Sequence, residues 1–124
     1  MVLDLGCGAG MDSVIAAERV GPTGAVIGVD FSLPMLARVR RAASVAGLGN
    51  IHHSQAAAED LPLQSGSVDV AMVNGLFNLN PARGSIFDEL ARVVRPGGSV
   101  FAAELILREP APAGEAVSLD DWFS

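Results

Sequence analysis

Short apolar runs alternate with stretches of helical period along most of this 124-residue chain, and that alternation narrows the folds open to it. Val2-Leu3-Asp4-Leu5 is a brief apolar run that stops at a glycine cluster, as a buried strand does. From Asp12 to Val20, the residues Val14, Ile15, Ala16, Ala17 and Val20 make an apolar helical face, with Asp12 placed as its N-terminal cap. The turn Gly21-Pro22-Thr23-Gly24 leads into a second buried strand, Ala25–Asp30. Ser32 then precedes Leu33-Pro34-Met35, a cap with proline early in a helix that should run to about Ala46. A weaker strand is expected over Ile51–Ala56, a fourth over Ser67–Val73 and a helix over Ser85–Val94. After a sharp turn at Pro96-Gly97-Gly98, a fifth strand should occupy Ser99–Leu107. Strands and helices in this alternation imply βαβ crossovers, hence the α/β class: a parallel sheet with helices on both faces.

Composition excludes several functions. Half the residues are hydrophobic and 18% are charged, enough for a buried core. The net charge of -6 offers no long-range attraction to a phosphate backbone, so nucleic acid is not an expected partner. One cysteine cannot form an intramolecular disulfide. No run reaches the roughly 18 apolar residues of a membrane span. Met1-Val2-Leu3-Asp4 carries no basic segment of the kind that opens a signal peptide, so a cytoplasmic protein away from membranes is expected.

Between the first strand and first helix stands Asp4-Leu5-Gly6-Cys7-Gly8-Ala9-Gly10. Glycines there permit positive φ and let a ligand lie against bare backbone. N–H groups at the start of the following helix would face a carboxylate or phosphate. A dinucleotide fingerprint requires glycine at position 11, where Met11 stands, and no Gly-Lys-Ser/Thr follows for a nucleotide-phosphate loop. A tight strand-to-helix turn would also explain the glycines. Asp30, 20 residues beyond Gly10 at the end of the second strand, sharpens the pattern. A carboxylate there can accept both hydroxyls of an adenosine ribose, or cap the next helix.

Together these segments resemble the class I S-adenosylmethionine-dependent methyltransferases. Val2–Gly10 resembles that family's first motif and Val26–Ser32 its second, with Met35-Leu36 following. Ala58-Glu59-Asp60-Leu61-Pro62 resembles the segment that packs on adenine, Ser67-Val68-Asp69-Val70 the fourth-strand motif, and Leu90–Gly98 the helix and turn before strand five. The resemblance implies a Rossmann-like sheet truncated to about five strands, with S-adenosyl-L-methionine as cofactor. Residues 1–107 would form the cofactor-binding core and 108–124 the start of a C-terminal segment. It further implies that Gly6, Gly8 and Gly10 admit the methionine part of the cofactor, that Asp4 holds that end, and that Cys7 lies in the same loop. Asp30 would bind the ribose, Phe31 and Met35 would flank adenine, Ala58 would meet the adenine edge with Glu59 beside it, and Asn74 would lie near the methionine end or the methyl group. Ala57 stands where many members carry an acid that contacts the adenine amino group, a loss of roughly 0.5–1.5 kcal/mol.

Gly21–Asp30 and Val73–Leu79 resemble the arsenite methyltransferase-like group, yet Ser13 and Gly75 stand where that group carries thiols. Cys7 also fits as a small packing residue. No general base stands out, and methyl transfer can proceed largely by positioning. His52, His53 and Asp69 read as structural or surface residues, while Asn78 and Asn80 either face the acceptor or shape a turn. The expected activity is methyl transfer to a small-molecule acceptor. The alternatives are a dinucleotide oxidoreductase and a truncated, non-catalytic binding module. A sheet of five strands leaves an open edge that a second copy of the chain could cover.

Overall fold

The structure is a computed structural model and describes residues 1–106. Its strands are β1 (Val2–Leu5), β2 (Val26–Asp30), β3 (Ile51–Gln55), β4 (Val68–Asn74) and β5 (Val94–Ala103). Its helices are α1 (Met11–Val20), α2 (Leu33–Ala46) and α3 (Arg83–Val93). All strand pairs are parallel, in the order β3-β2-β1-β4-β5. The chain builds outward from β1 in one direction and then returns to its other side with β4. In open parallel sheets a crevice forms at such a reversal, outside the carboxyl ends of the strands.

Side chains alternate between the two sheet faces, so neighbours in sequence enter different cores. Val2, Val26 and Ile51 pack with Ala16 and Ala17 of α1 and Leu36, Val39 and Ala43 of α2. Leu3, Leu5, Val29, Ala71 and Val73 pack on the other face with Ile86, Leu90 and Val93 of α3. This two-faced layering is the Rossmann-like arrangement expected of the sequence.

Three local features differ from expectation. Helix α1 begins at Met11 with Gly10 as its N-cap in the left-handed region at φ 86°, so Asp12 lies in the first turn and is not the cap. A Cβ on Gly10 would come within 2.7 Å of Val39 Cγ1, so this glycine is required by the approach of α2 to the loop. Ser32 occupies the N-cap of α2, but its side chain makes no capping hydrogen bond. Finally, Pro96-Gly97-Gly98 is not a turn before β5 but an irregularity inside it: Val94 pairs with Val68, and the next pair is Ser99 with Val70. Asp69 Oδ1 holds the start of this excursion through Arg95 Nε at 2.5 Å. The strand leaves the ladder at Ala103, short of the expected end at Leu107, and 107–124 lie outside the described residues. Along this edge Phe101, Leu105 and Ile106 are exposed. Among the described residues no helix is long and apolar enough to cross a membrane.

Candidate functional site

The loop between β1 and α1 lies at the carboxyl end of the sheet and is held from two sides. Val29 O accepts the N–H groups of Gly6 (2.8 Å) and Cys7 (3.1 Å), and Cys7 O accepts that of Gly10 (2.9 Å). Asp30 ends β2 with both carboxylate oxygens engaged: Oδ2 accepts Gly8 N–H at 2.9 Å and Oδ1 accepts Ser32 N–H at 2.8 Å. The loop N–H groups of Gly6, Cys7, Gly8 and Gly10 are therefore taken up by Val29, Asp30 and Cys7 within the protein. Asp30 is at once a brace for the loop and an acceptor, because each carboxylate oxygen retains a second lone-pair direction. Gly8, at φ 51°, has nothing within 4 Å of the position a Cβ would take, so bare backbone is open to a ligand there.

Beneath the loop, Asp4 is only 2% exposed and accepts a hydrogen bond from the fully buried Ser13 hydroxyl. Burial pushes its carboxyl up to about 6, more than the Ser13 hydrogen bond lowers it, with the charge of Asp12 adding to the rise. Cys7 is buried against Gly28, and burial pushes its thiol up to about 12, with the charges of Asp4 and Asp30 adding to that rise. The thiol is thus kept protonated and serves as packing. Asp4 and Cys7 support the loop from below, and Gly10 belongs to the contact with α2.

On the far side of the crevice, Asn74 ends β4, and its Nδ2 donates to Asp12 Oδ2 at 3.0 Å. This bond joins β4 to the first turn of α1 across the reversal in strand order. Gly75 then turns the chain at φ 69°. The carboxylate of Glu104, just beyond β5, accepts the N–H groups of Leu76 (2.8 Å) and Phe77 (2.9 Å), with that of Asn78 at 3.4 Å. The sequence offered Asp12 only as a helix cap and did not single out Glu104. Glu104 fell inside the expected fifth strand, and only the observed end of β5 at Ala103 makes it an acid at the carboxyl end of a strand, like Asp30.

The residues expected around adenine lie on the β2–β3 side. Phe31 is 77% exposed at the end of β2, and Met35 is half-buried on α2. Ala58 and Glu59 are half-buried in the segment after β3. Glu59 Oε1 accepts Asn80 Nδ2 at 3.1 Å, and Asn80 Oδ1 accepts Ala82 N–H at 2.8 Å, so Asn80 shapes its loop and ties it to the 58–59 segment. Glu89 and Arg92 of α3 clamp the continuation: Glu89 accepts Leu61 N–H at 2.7 Å, and Arg92 donates to the carbonyls of Leu61 and Leu63. The Arg92 guanidinium, followed by the Leu61 N–H, draws the Glu89 carboxyl down to about 2. His52 is exposed and His53 half-buried on the edge strand β3, and Asp69 sits at the opposite end of β4 from the crevice.

Residues 2–98 match the family described as the methyltransferase domain. The chain belongs to the class I S-adenosylmethionine-dependent methyltransferases. It is 39% identical over 111 residues to an arsenite methyltransferase of Halobacterium salinarum, covering 90% of this chain and 28% of that one. It is 37% identical over 103 residues to a demethylmenaquinone methyltransferase of Lactococcus lactis, covering 83% of this chain and 41% of that one. Among solved structures, an arsenic(III) S-adenosylmethionine methyltransferase of Chlamydomonas reinhardtii superposes with a TM-score of 0.77 at 34% identity, covering 83% of this chain and 38% of that one. This methyltransferase chain therefore spans well under half the length of these relatives. Its family membership favours neither the dinucleotide oxidoreductase nor a non-catalytic module.

Proposed function

We propose that this chain binds S-adenosyl-L-methionine across the β1/β4 reversal and supports transfer of its methyl group to a small-molecule acceptor. The observation that carries the proposal is Asp30, whose carboxylate braces Gly8 and Ser32 while standing at the strand end beside the open Gly8 backbone. The charges of Asp12 and Asp30 both act on the buried Asp4 carboxyl, and a negative field of this kind suits a ligand bearing a sulfonium and an ammonium. When bound, the cofactor supplies a methyl group made electrophilic by the sulfonium.

In this proposal Asp30 orients the ribose through its remaining lone pairs, while Gly8 permits close approach. Phe31 and Met35 supply apolar surface for the adenine, and the Ala58 backbone meets its edge with Glu59 alongside. Asn74, fixed by Asp12, lies at the methionine end. Catalysis then rests on holding donor and acceptor in line, a contribution that can reach several kcal/mol without a general base. The relatives named for arsenite and for demethylmenaquinone favour a small-molecule acceptor. A cytoplasmic location belongs to the same proposal. Calorimetry tests it: S-adenosylhomocysteine should bind the 124-residue chain and NAD should not, and tighter binding of NAD would overturn the assignment.

A further inference from the structure

The loop that leaves β4 meets the glycine loop through two contacts. Asn74 Nδ2 donates to Asp12 Oδ2. Two residues later the Leu76 side chain packs under Gly6, with Cδ1 3.3 Å from where a Gly6 Cβ would stand. Asn74 is the last residue of β4, but Leu76 lies beyond Gly75, which ends the strand with a left-handed φ of 69°. The residues that fix Leu76 come from β5 and its end. Ala103 O accepts Gly75 N–H at 2.9 Å, and Glu104 Oε1 accepts the N–H groups of Leu76 and Phe77. The Asn78 carboxamide also donates to Leu105 O. Glu104 is half-buried and bonds to no cationic side chain among the described residues. Among the described residues its charge is met by backbone N–H groups, and hydrogen bonds from such groups to a carboxylate are among the stronger ones a protein makes.

We propose that Glu104 is a positioning residue for the methionine end of the cofactor. It acts through Leu76, which it holds against Gly6. The inference rests on the cofactor assignment above and adds a residue that touches neither cofactor nor acceptor. Preorganisation of this kind shows in affinity for the part of a ligand that meets the ordered wall, and not for the part bound elsewhere. The adenosine moiety is assigned to Asp30, Phe31 and Ala58, on the other side of β1.

The experiment compares two ligands by calorimetry on the 124-residue chain: S-adenosylhomocysteine and 5′-methylthioadenosine. They share adenosine and the sulfur and differ in the amino-acid arm. Glu104→Ala should weaken S-adenosylhomocysteine about tenfold while methylthioadenosine stays within about twofold. Glu104→Gln, whose carbonyl oxygen can still accept from Leu76 and Phe77, should restore most of the ratio. Leu76→Ala, which keeps the Glu104 hydrogen bonds but removes the contact with Gly6, should reproduce the loss. Amide exchange at Leu76 and Phe77 should accelerate in Glu104→Ala and not in Leu76→Ala. An unchanged ratio in Leu76→Ala overturns the proposal even where Glu104→Ala fails to fold, as does an equal weakening of both ligands in folded Glu104→Ala. A wild-type chain that binds neither nucleoside overturns the cofactor assignment itself, and this proposal with it.

Discussion

Removing the charge of Asp4 should make the chain more stable at neutral pH, and the gain should vanish in acid. The carboxyl is 2% exposed, and burial lifts it from 3.8 to about 6. Between those values the unfolded chain has lost the Asp4 proton while the folded chain keeps it. Folding therefore takes up a proton, and the contribution of Asp4 to stability falls as pH rises. It is fully present below about 3.8 and lost by the time pH has passed about 6. A rise of roughly two pH units corresponds to about 3 kcal/mol at 1.36 kcal/mol per unit. Asp4→Asn keeps an oxygen that can accept the Ser13 hydroxyl and has no charge to bury. Urea unfolding of both proteins at pH 4 and pH 7.5 gives the difference directly. Relative to wild type, Asp4→Asn should gain on the order of 3 kcal/mol between the two conditions. Parallel stability curves would refute the claim that ionised Asp4 is held at a cost. The same variant addresses function, since an Asp4 that only anchors α1 from below should leave affinity for S-adenosylhomocysteine unchanged.

Three further outcomes follow from the same geometry. Gly10→Ala adds a methyl 2.7 Å from Val39 Cγ1 at a φ of 86°, and should cost roughly 2–4 kcal/mol in urea unfolding, part of it recovered by Val39→Ala; a neutral substitution would show that α2 yields freely. Iodoacetamide at pH 8 should modify Cys7 only as fast as the protein opens, since the thiol is buried and pushed up to about 12, so rapid labelling of the native state would contradict that environment. Asp30→Ala should cost on the order of 1.5–3 kcal/mol of S-adenosylhomocysteine binding, and an unchanged affinity in a folded variant would reduce Asp30 to a brace for Gly8 and Ser32.

The sheet was legible because its signals are local and repeated: β1 and β2 are apolar runs ended by turn or cap residues, and α1 to α3 show a 3.6 period. What failed was chemistry set by contacts distant in sequence. Asp12 had the composition of a cap, yet Gly10 occupies the cap because the loop must turn left-handed beneath Val39. The Pro96-Gly97-Gly98 segment reads as a turn, but β4 captures Val94 before it and Ser99 after it, so the strand absorbs the excursion. The glycine loop was recognisable as backbone made for close approach. That its N–H groups point at Val29, Cys7 and Asp30 depends on the partner strand and is invisible in the loop's own residues. Glu104 was passed over because β5 was expected to continue through it, and an acid within a strand carries no meaning that an acid at a strand's end would.

The same distinction bears on the acceptor. Trivalent arsenic is held by soft thiolate ligands, and the positions that resemble its ligands in the arsenite group are Ser13 and Gly75. Both are committed to the framework. Ser13 is fully buried and gives its hydroxyl to Asp4, so even a thiol there would lie beneath the loop and weaken that anchor. Gly75 has a φ of 69°, which any side chain would strain, at the point where the loop passes from β4 to Glu104. Cys7, the one cysteine of the sequence, is buried and protonated. This chain thus offers no thiolate at the crevice, and its own residues should not methylate arsenite. Arsenite, a thiol and S-adenosyl-L-methionine supplied together should yield no methylated arsenic by mass spectrometry. Product formed equally by wild type and Cys7→Ser would refute the requirement for a thiolate. Product lost in Cys7→Ser would instead make Cys7 a ligand, and would require the loop to open far enough to expose it.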